Sequence, residues 1–391
     1  MSESNQILSA LDPRELGRRL RLARERRGLK QEDAAKIINV ARTTLVAIEK
    51  GERRIRPAEL VRLAIEYGRS VSDFIEQPSY LVQFTQPQFR GPEAYEDAAD
   101  AQIEQSIELL KELAYDYFAL EQRLNTPLAK KYPAEYPVGK LTPAEIGENV
   151  ALDERQRLGL GDRPIPLMRD LLEQEVGLRI YFFRIQPSAK YSEIYLYSEE
   201  IGGCLAVNVL HPEVRNRWSL GHGYGHFLTS RYQPWAGAAG DYSGRRSESE
   251  KIADQFTIHF LMPTSGVTRK FNDMKLLKGM ISPSDLVEIA HYFGVSFETL
   301  CYRLEDLRLV PPGILEVLRN KGFKLKEAQQ RLGLEPLSSK RERIPLRHQL
   351  LAIQALEKGL ISESSFAKLL EVDLLEAREI FQTLTRENLS L

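Results

Sequence analysis

Between Pro13 and Ile75 the apolar residues recur at helical spacing in short runs, each closed by a turn signal. In "PRELGRRLRLARERRGL" Leu16, Leu20 and Ala23 share one face with arginines around it, and Gly28 stands where a C-capping glycine would end the helix. "KQEDAAKIINV" turns Ala34, Ala35 and Ile38 inward, and a short turn around Asn39 and Val40 follows. "ARTTLVAIEKG" offers Leu45 and Ile48 to the core before Gly51, and "RPAELVRLAIEYG" opens with Pro57 in its first turn and stops at Gly68. The pattern predicts a compact helical bundle.

The rest of the chain changes period more than once. "PSYLVQFTQPQFRGP", from Pro78 to Pro92, has three prolines and no helical period and reads as a linker. Ile103, Ile107, Leu110, Ala114 and Tyr117 then mark a long connecting helix, and "KKYPAEYPVGKLTP" breaks it off. From about Leu141 strands and helices mix: "GLRIYFF" and "EIYLYS" alternate as strands do, "GGCLAVNVL" is an apolar strand candidate, and "VRNRWSLGHGYGHFLTSRY" returns to helix. Beyond Thr264 the pattern is helical. "SPSDLVEIAHYFGVSFETLCYRLEDLRLV" has a helix-turn-helix form, repeated in "ISESSFAKLLEVDLLEAREIFQTL", but "FETLCYRLEDL" carries only Arg303 as a positive charge. Phosphate contacts need a basic surface, so packing against the preceding domain is the expected role. The expected plan is a bundle over 1–77, a linker and connecting helix over 78–140, a mixed domain over 141–265 and a helical region over 266–391. The fold class is mainly α with a small β-sheet (α+β).

Composition narrows the class without naming a function. Of 391 residues 42% are apolar and 28% charged, as in a soluble globular protein, and no apolar run of about 18 residues could cross a membrane. The opening residues lack an export pattern, so a cytoplasmic location with no membrane partner is expected. Cys204 and Cys301 stand alone, without disulfide or zinc-knuckle spacing, and are expected to pack. Charge is more telling: the chain carries -1 overall, but Arg14 to Arg69 hold 16 Lys and Arg against 8 Asp and Glu. That basic end expects a polyanion.

The run "LKQEDAAKIINVARTTLVAIEKGERRIRP" resembles the helix-turn-helix of the phage-repressor (XRE, lambda Cro-like) family, over residues 14 to 75. The resemblance implies a five-helix bundle, double-stranded operator DNA as partner and a homodimer on a pseudo-palindrome. It also implies that the helix from about Ala41 to Lys50 enters the major groove. Arg42 and Thr43 would then read base edges, while Gln31, Thr44, Lys50, Arg53 and Arg54 would hold phosphate oxygens.

Further on, His222 and His226 in "GHGYGHFL" are four apart, so on a helix both imidazoles can face one zinc ion. In "SESEKIADQFTIHFLMP" Glu250 and Asp254 are also four apart. That spacing suits a third ligand and a carboxylate that holds a ligating histidine by its other nitrogen. His211, His259, His291 and His348 have no ligand-spaced partner, and capping, core or surface roles are expected for them. Together, "RNRWSLGHGYGHFL" and "ESEKIADQFTIHFLMP" resemble the ImmA/IrrE family of zinc metallopeptidases, from about Leu141 onward. The resemblance implies a zincin-like domain with a helical extension, Zn2+ as cofactor, and His222, His226 and Glu250 as its ligands. It also implies roles for the family: cleaving repressor-type transcription factors, or regulating and neutralising a co-encoded toxin.

One position departs from that family. Where the glutamate of such a helix should follow the first histidine, the chain has Gly223. That glutamate works as a general base worth about 100 to 10,000-fold in rate, and glycine has no group for the task. Catalysis is therefore expected to be impaired, either in a natural pseudoenzyme that keeps the metal or through an inactivating substitution. Glu248 is the nearby carboxylate that could approach from outside, and Gly223→Glu is expected both to restore a base and to firm the helix.

Overall fold

The computed structural model describes residues 12–69, 71–75, 83–85, 88–90, 101–186, 191–232, 247–334 and 342–388. These form two compact units. The first comprises residues up to 82, residues 116–126 and residues from 346 onward; the second comprises residues 83–115 and 127–345.

In the first unit four helices appear where the apolar period placed them, α1 (Pro13–Arg26), α2 (Gln31–Ile37), α3 (Arg42–Glu49) and α4 (Pro57–Glu66), and the single turn α5 (Ser72–Ile75) makes the five that the resemblance implied. Asp12 caps α1 by accepting the Arg14 backbone N–H, and proline opens both α1 and α4 at positions that need no N–H donor. Leu20, Leu45, Ile48, Leu60 and Leu63 are almost wholly excluded from water at the centre of the bundle. Gly17 allows α1 and the end of α3 to touch: a Cβ there would lie 2.3 Å from the Ile48 carbonyl oxygen. Three helices from the far end of the chain belong to the same unit, α16 (Leu346–Glu357), α17 (Glu363–Leu369) and α18 (Leu374–Asn388). Arg347 donates to Glu121 at 2.7 Å, His348 stacks on Tyr117, and Arg69 pairs with Glu371 at 3.5 Å. The helical region expected over 266–391 is thus divided, its last part grouping with the basic bundle.

The second unit is built on a four-stranded sheet. Its strands are β1 (Gln88–Arg90), β2 (Arg179–Phe183), β3 (Glu193–Ser198) and β4 (Gly202–Asn208), in the order β1-β3-β4-β2, with β2 parallel to β4 and the other pairs antiparallel. The edge strand β1 lies inside the segment expected to be linker, because backbone pairing with β3 needs no apolar period of its own. The residues of β2, β3 and β4 are buried throughout, so the sheet is covered on both faces. Its helices are α7 (Pro143–Arg157), started by a Thr142/Glu145 capping box, α8 (Met168–Leu171), α9 (Glu213–Ser230), α10 (Glu248–Leu261), α11 (Thr264–Lys278), α12 (Pro283–Phe293), α13 (Phe297–Asp306), α14 (Ile314–Asn320) and α15 (Leu325–Arg331). The long helix α6 (Ala101–Leu124) has residues in both units.

Phe293, Phe297, Leu300 and Leu304 from α12 and α13 share one core with Phe227, Phe256 and Phe260. Arg303 is turned inward, toward His259 and the Thr264 hydroxyl. The α12–α13 pair is accordingly a packing element with no basic face. Cys204 and Cys301 are buried and neither forms a disulfide, as their isolation in the sequence suggested.

Candidate functional site

The metal-ligand candidates sit on α9 and α10, which cross at close range because the facing positions are small. A Cβ on Gly221 would lie 2.8 Å from Thr257 Cγ2, and one on Gly225 would lie 3.1 Å from Ala253 Cα. Glycine costs helix propensity here and returns backbone proximity. Behind α9 the buried Glu154 carboxylate of α7 accepts from Tyr136, Tyr224 and Arg157, tying the two helices together.

Across this contact Nε2 of His226 lies 3.0 Å from Glu250 Oε1, and Nε2 of His222 lies 3.4 Å from Glu250 Oε2. Ligand atoms of His222, His226 and Glu250 all fall within 4.8 Å of one another. Both Nε2 atoms and Glu250 Oε1 are buried without a hydrogen bond. Buried polar atoms that converge in this way are costly unless something satisfies them, and two imidazoles with a carboxylate are a donor set that zinc accepts. The residues therefore fit a divalent metal.

The remaining ring nitrogens are held from outside. Nδ1 of His222 meets Glu193 Oε1 of β3 at 2.7 Å, and Nδ1 of His226 lies 3.2 Å from Ser249 Oγ and 3.4 Å from Ser230 Oγ. These contacts fix both rings with Nε2 inward. The carboxylate expected to hold a histidine from behind was Asp254. Its Oδ1 instead lies 3.6 Å from Nε2 of His222, on the inner side of the ring, and Glu193 has the outer nitrogen. Burial alone would lower the His222 pKa, but the Glu193 and Glu250 carboxylates outweigh it and raise the value to about 10. For Glu250 burial works upward and the two histidines work downward, and the net effect holds the carboxyl well below its ordinary range.

Gly223 is buried and faces β4. A Cβ built on it would lie 2.5 Å from Leu205 Cδ1 and 3.0 Å from Leu205 Cδ2. The space next to the Gly223 backbone is thus taken up by the Leu205 methyls. A side chain at 223 would first have to shift the Leu205 methyls, and this opposes the gain in helix propensity expected of Gly223→Glu. Glu248 is exposed at the start of α10 and is not among the converging groups.

On the basic bundle Arg42 and Thr43 are exposed at the start of α3, Lys50 and Arg54 are exposed beyond it, and Thr44 is half-buried. Gln31 bridges two elements, donating to Glu49 Oε2 at 3.0 Å and accepting from Arg42 at 3.3 Å. Glu49 in turn binds Arg24 at 2.6 Å in a buried pair, so the start of α3 is braced against α1 and α2. The Arg53 guanidinium is engaged by Glu59 at 2.9 and 3.1 Å.

Glu193, Ser230, Ser249 and Leu205 were not among the residues the sequence pointed to. Ser230 and Ser249 reach the site from α9 and α10 themselves, next to the ligand candidates, whereas only the sheet register brings Glu193 and Leu205 under α9.

Comparison with known proteins agrees with this division. Residues 173–305 match the IrrE N-terminal-like domain, a metallopeptidase family, and residues 20–74 match the helix-turn-helix family. The chain thus combines a DNA-binding helix-turn-helix with a metallopeptidase-like domain. No curated protein matches. Among solved structures, ComR from Streptococcus suis aligns at 10% identity over 96% of this chain and 95% of that chain, with a TM-score of 0.16. No described helix is long and apolar enough to cross a membrane.

Proposed function

We propose that this chain is a cytoplasmic transcriptional regulator that binds operator DNA as a homodimer and carries a zinc-binding, peptidase-derived domain with impaired catalysis. DNA is met by α3, with Arg42 and Thr43 at base edges and Gln31, Thr44, Lys50 and Arg54 at phosphates. Arg53 is better placed to brace the bundle through Glu59 than to leave it for a phosphate. Zinc is held by His222, His226 and Glu250.

The observation that carries the reading on catalysis is the contact between residues 223 and 205. A zinc peptidase needs a carboxylate beside the metal-bound water, and here the residue in that position has no side chain while Leu205 fills the space. A protein that binds metal without the base retains the fold and its surfaces, which suits sensing or partner binding, a co-encoded toxin among the candidates. The test is twofold. Elemental analysis of chelator-free protein is expected to find one zinc per chain, lost in His226→Ala. Co-expression with repressor-type proteins, and with its own N-terminal half, is expected to yield no metal-dependent fragments. Fragments that vanish with His222→Ala would establish an active peptidase and overturn the reading.

A further inference from the structure

We propose that Asp254 supplies a fourth ligand, so that His222, His226, Glu250 and Asp254 enclose the metal and leave no coordination position open to a substrate. The inference rests on the metal-binding reading above and says what kind of centre it is. In zinc proteins three protein ligands with an open position mark a catalytic site, and four protein ligands mark a closed one.

Two observations point to closure. First, Glu193 binds Nδ1 of His222 at 2.7 Å, so the outer side of the ring already has its carboxylate. Asp254 is then not needed there, and its Oδ1 is on the other side, 3.6 Å from Nε2. Glu250 Oε2 stands at a similar 3.4 Å from the same nitrogen. With bonds of about 2.0 to 2.1 Å, ligand atoms around a tetrahedral zinc are separated by about 3.3 Å, so both carboxylates are near ligand spacing from His222, and Asp254, which is outside the cluster of His222, His226 and Glu250, would close on the other two when metal binds. Second, Glu250 and Asp254 are one turn apart on α10, and their side chains are similarly sheltered, 22% and 17% exposed. One rigid helix delivers both oxygens, as α9 delivers both imidazoles.

The experiment uses the full-length chain loaded with Co2+, whose visible bands respond to a change in coordination, with azide as the probe. Affinity alone would not decide, because losing a supporting contact or a ligand each weakens binding by about 10-fold or more. Access does decide. The expected result is one cobalt per chain, with bands that azide leaves unmoved in the wild type and shifts in Asp254→Asn, where a position has been opened. Azide shifting the wild-type bands as it shifts those of Asp254→Asn would overturn the closed centre while leaving metal binding intact. A wild-type chain that takes up no cobalt would overturn both. If Asp254→Asn does not fold, the wild-type titration alone distinguishes a closed centre from an open one.

Discussion

Leu205 and Gly223 behave as one unit, because the room that the missing side chain leaves is the room that the leucine methyls use. Gly223→Glu by itself is therefore expected to destabilise the domain, by about 1 to 3 kcal/mol as overpacked cores do, in spite of the better helix propensity of glutamate. Adding Leu205→Ala should recover much of that loss, and only the double variant should be able to present a carboxylate at the metal. Thermal melts of the two variants beside the wild type check this; a single variant that melts at or above the wild type would refute the interlock. At this scale the sequence was partly legible. The convergence of His222, His226 and Glu250 could be anticipated because each lies in a pair spaced i and i+4 on a helix, His222 with His226 and Glu250 with Asp254, a spacing visible in one dimension. Glu193 could not, since it lies 29 residues before His222 on a strand whose register decides what it faces. For the same reason Asp254 was given the outer side of a histidine: its spacing put it one turn from Glu250, but spacing does not say which ring nitrogen it meets.

At the scale of elements, periodicity located the helices well and the edge strand badly. The first four helices of the bundle each carry an apolar pattern, with a proline or glycine at an end of α1, α3 and α4, whereas the single turn α5 carries none and the three residues of β1 are defined by their partner β3. The α3 helix has the clearest consequence. Arg42→Ala should weaken binding to the specific operator by about 1 to 3 kcal/mol and leave salt-sensitive binding to random DNA nearly unchanged. Equal losses on both DNAs in gel shifts would make Arg42 a phosphate contact. The packing of α10 on α7 and α13 gives a pH prediction. His259 is buried, faces the Arg303 guanidinium at 3.1 Å and has Glu148 at 3.3 Å. Burial first and Arg303 second lower its pKa to about 4, with Glu148 opposing. The folded protein then takes up this proton less readily than the unfolded chain, whose histidine titrates near 6.5. Stability from this group is complete above about 6.5 and declines as pH falls towards 4. Denaturant midpoints of His259→Gln should fall less steeply than those of the wild type over that interval, and parallel profiles would count against it.

Across the whole molecule, the two units should respond differently to the loss of metal. A cation that binds only the folded form stabilises the unit that holds it, so chelation is expected to lower the melting transition of the unit containing residues 127–345. Operator binding by the basic bundle should persist at the same temperature, because its core of Leu20, Leu45, Ile48 and Leu63 is its own. Calorimetry with and without chelator, beside a gel shift, would show this; a melting profile indifferent to chelation would contradict it. The composition of the first unit also has a consequence in time. Arg69 and Glu371, which meet there, are roughly 300 residues apart, so at about 5 to 20 residues per second a ribosome makes the second some 15 to 60 seconds after the first. During that wait the nascent basic bundle must stand without α16, α17 and α18, in a cell full of nucleic acid and unfinished chains. A bundle with its own closed core can do so, and the helices made last complete a unit that has already folded.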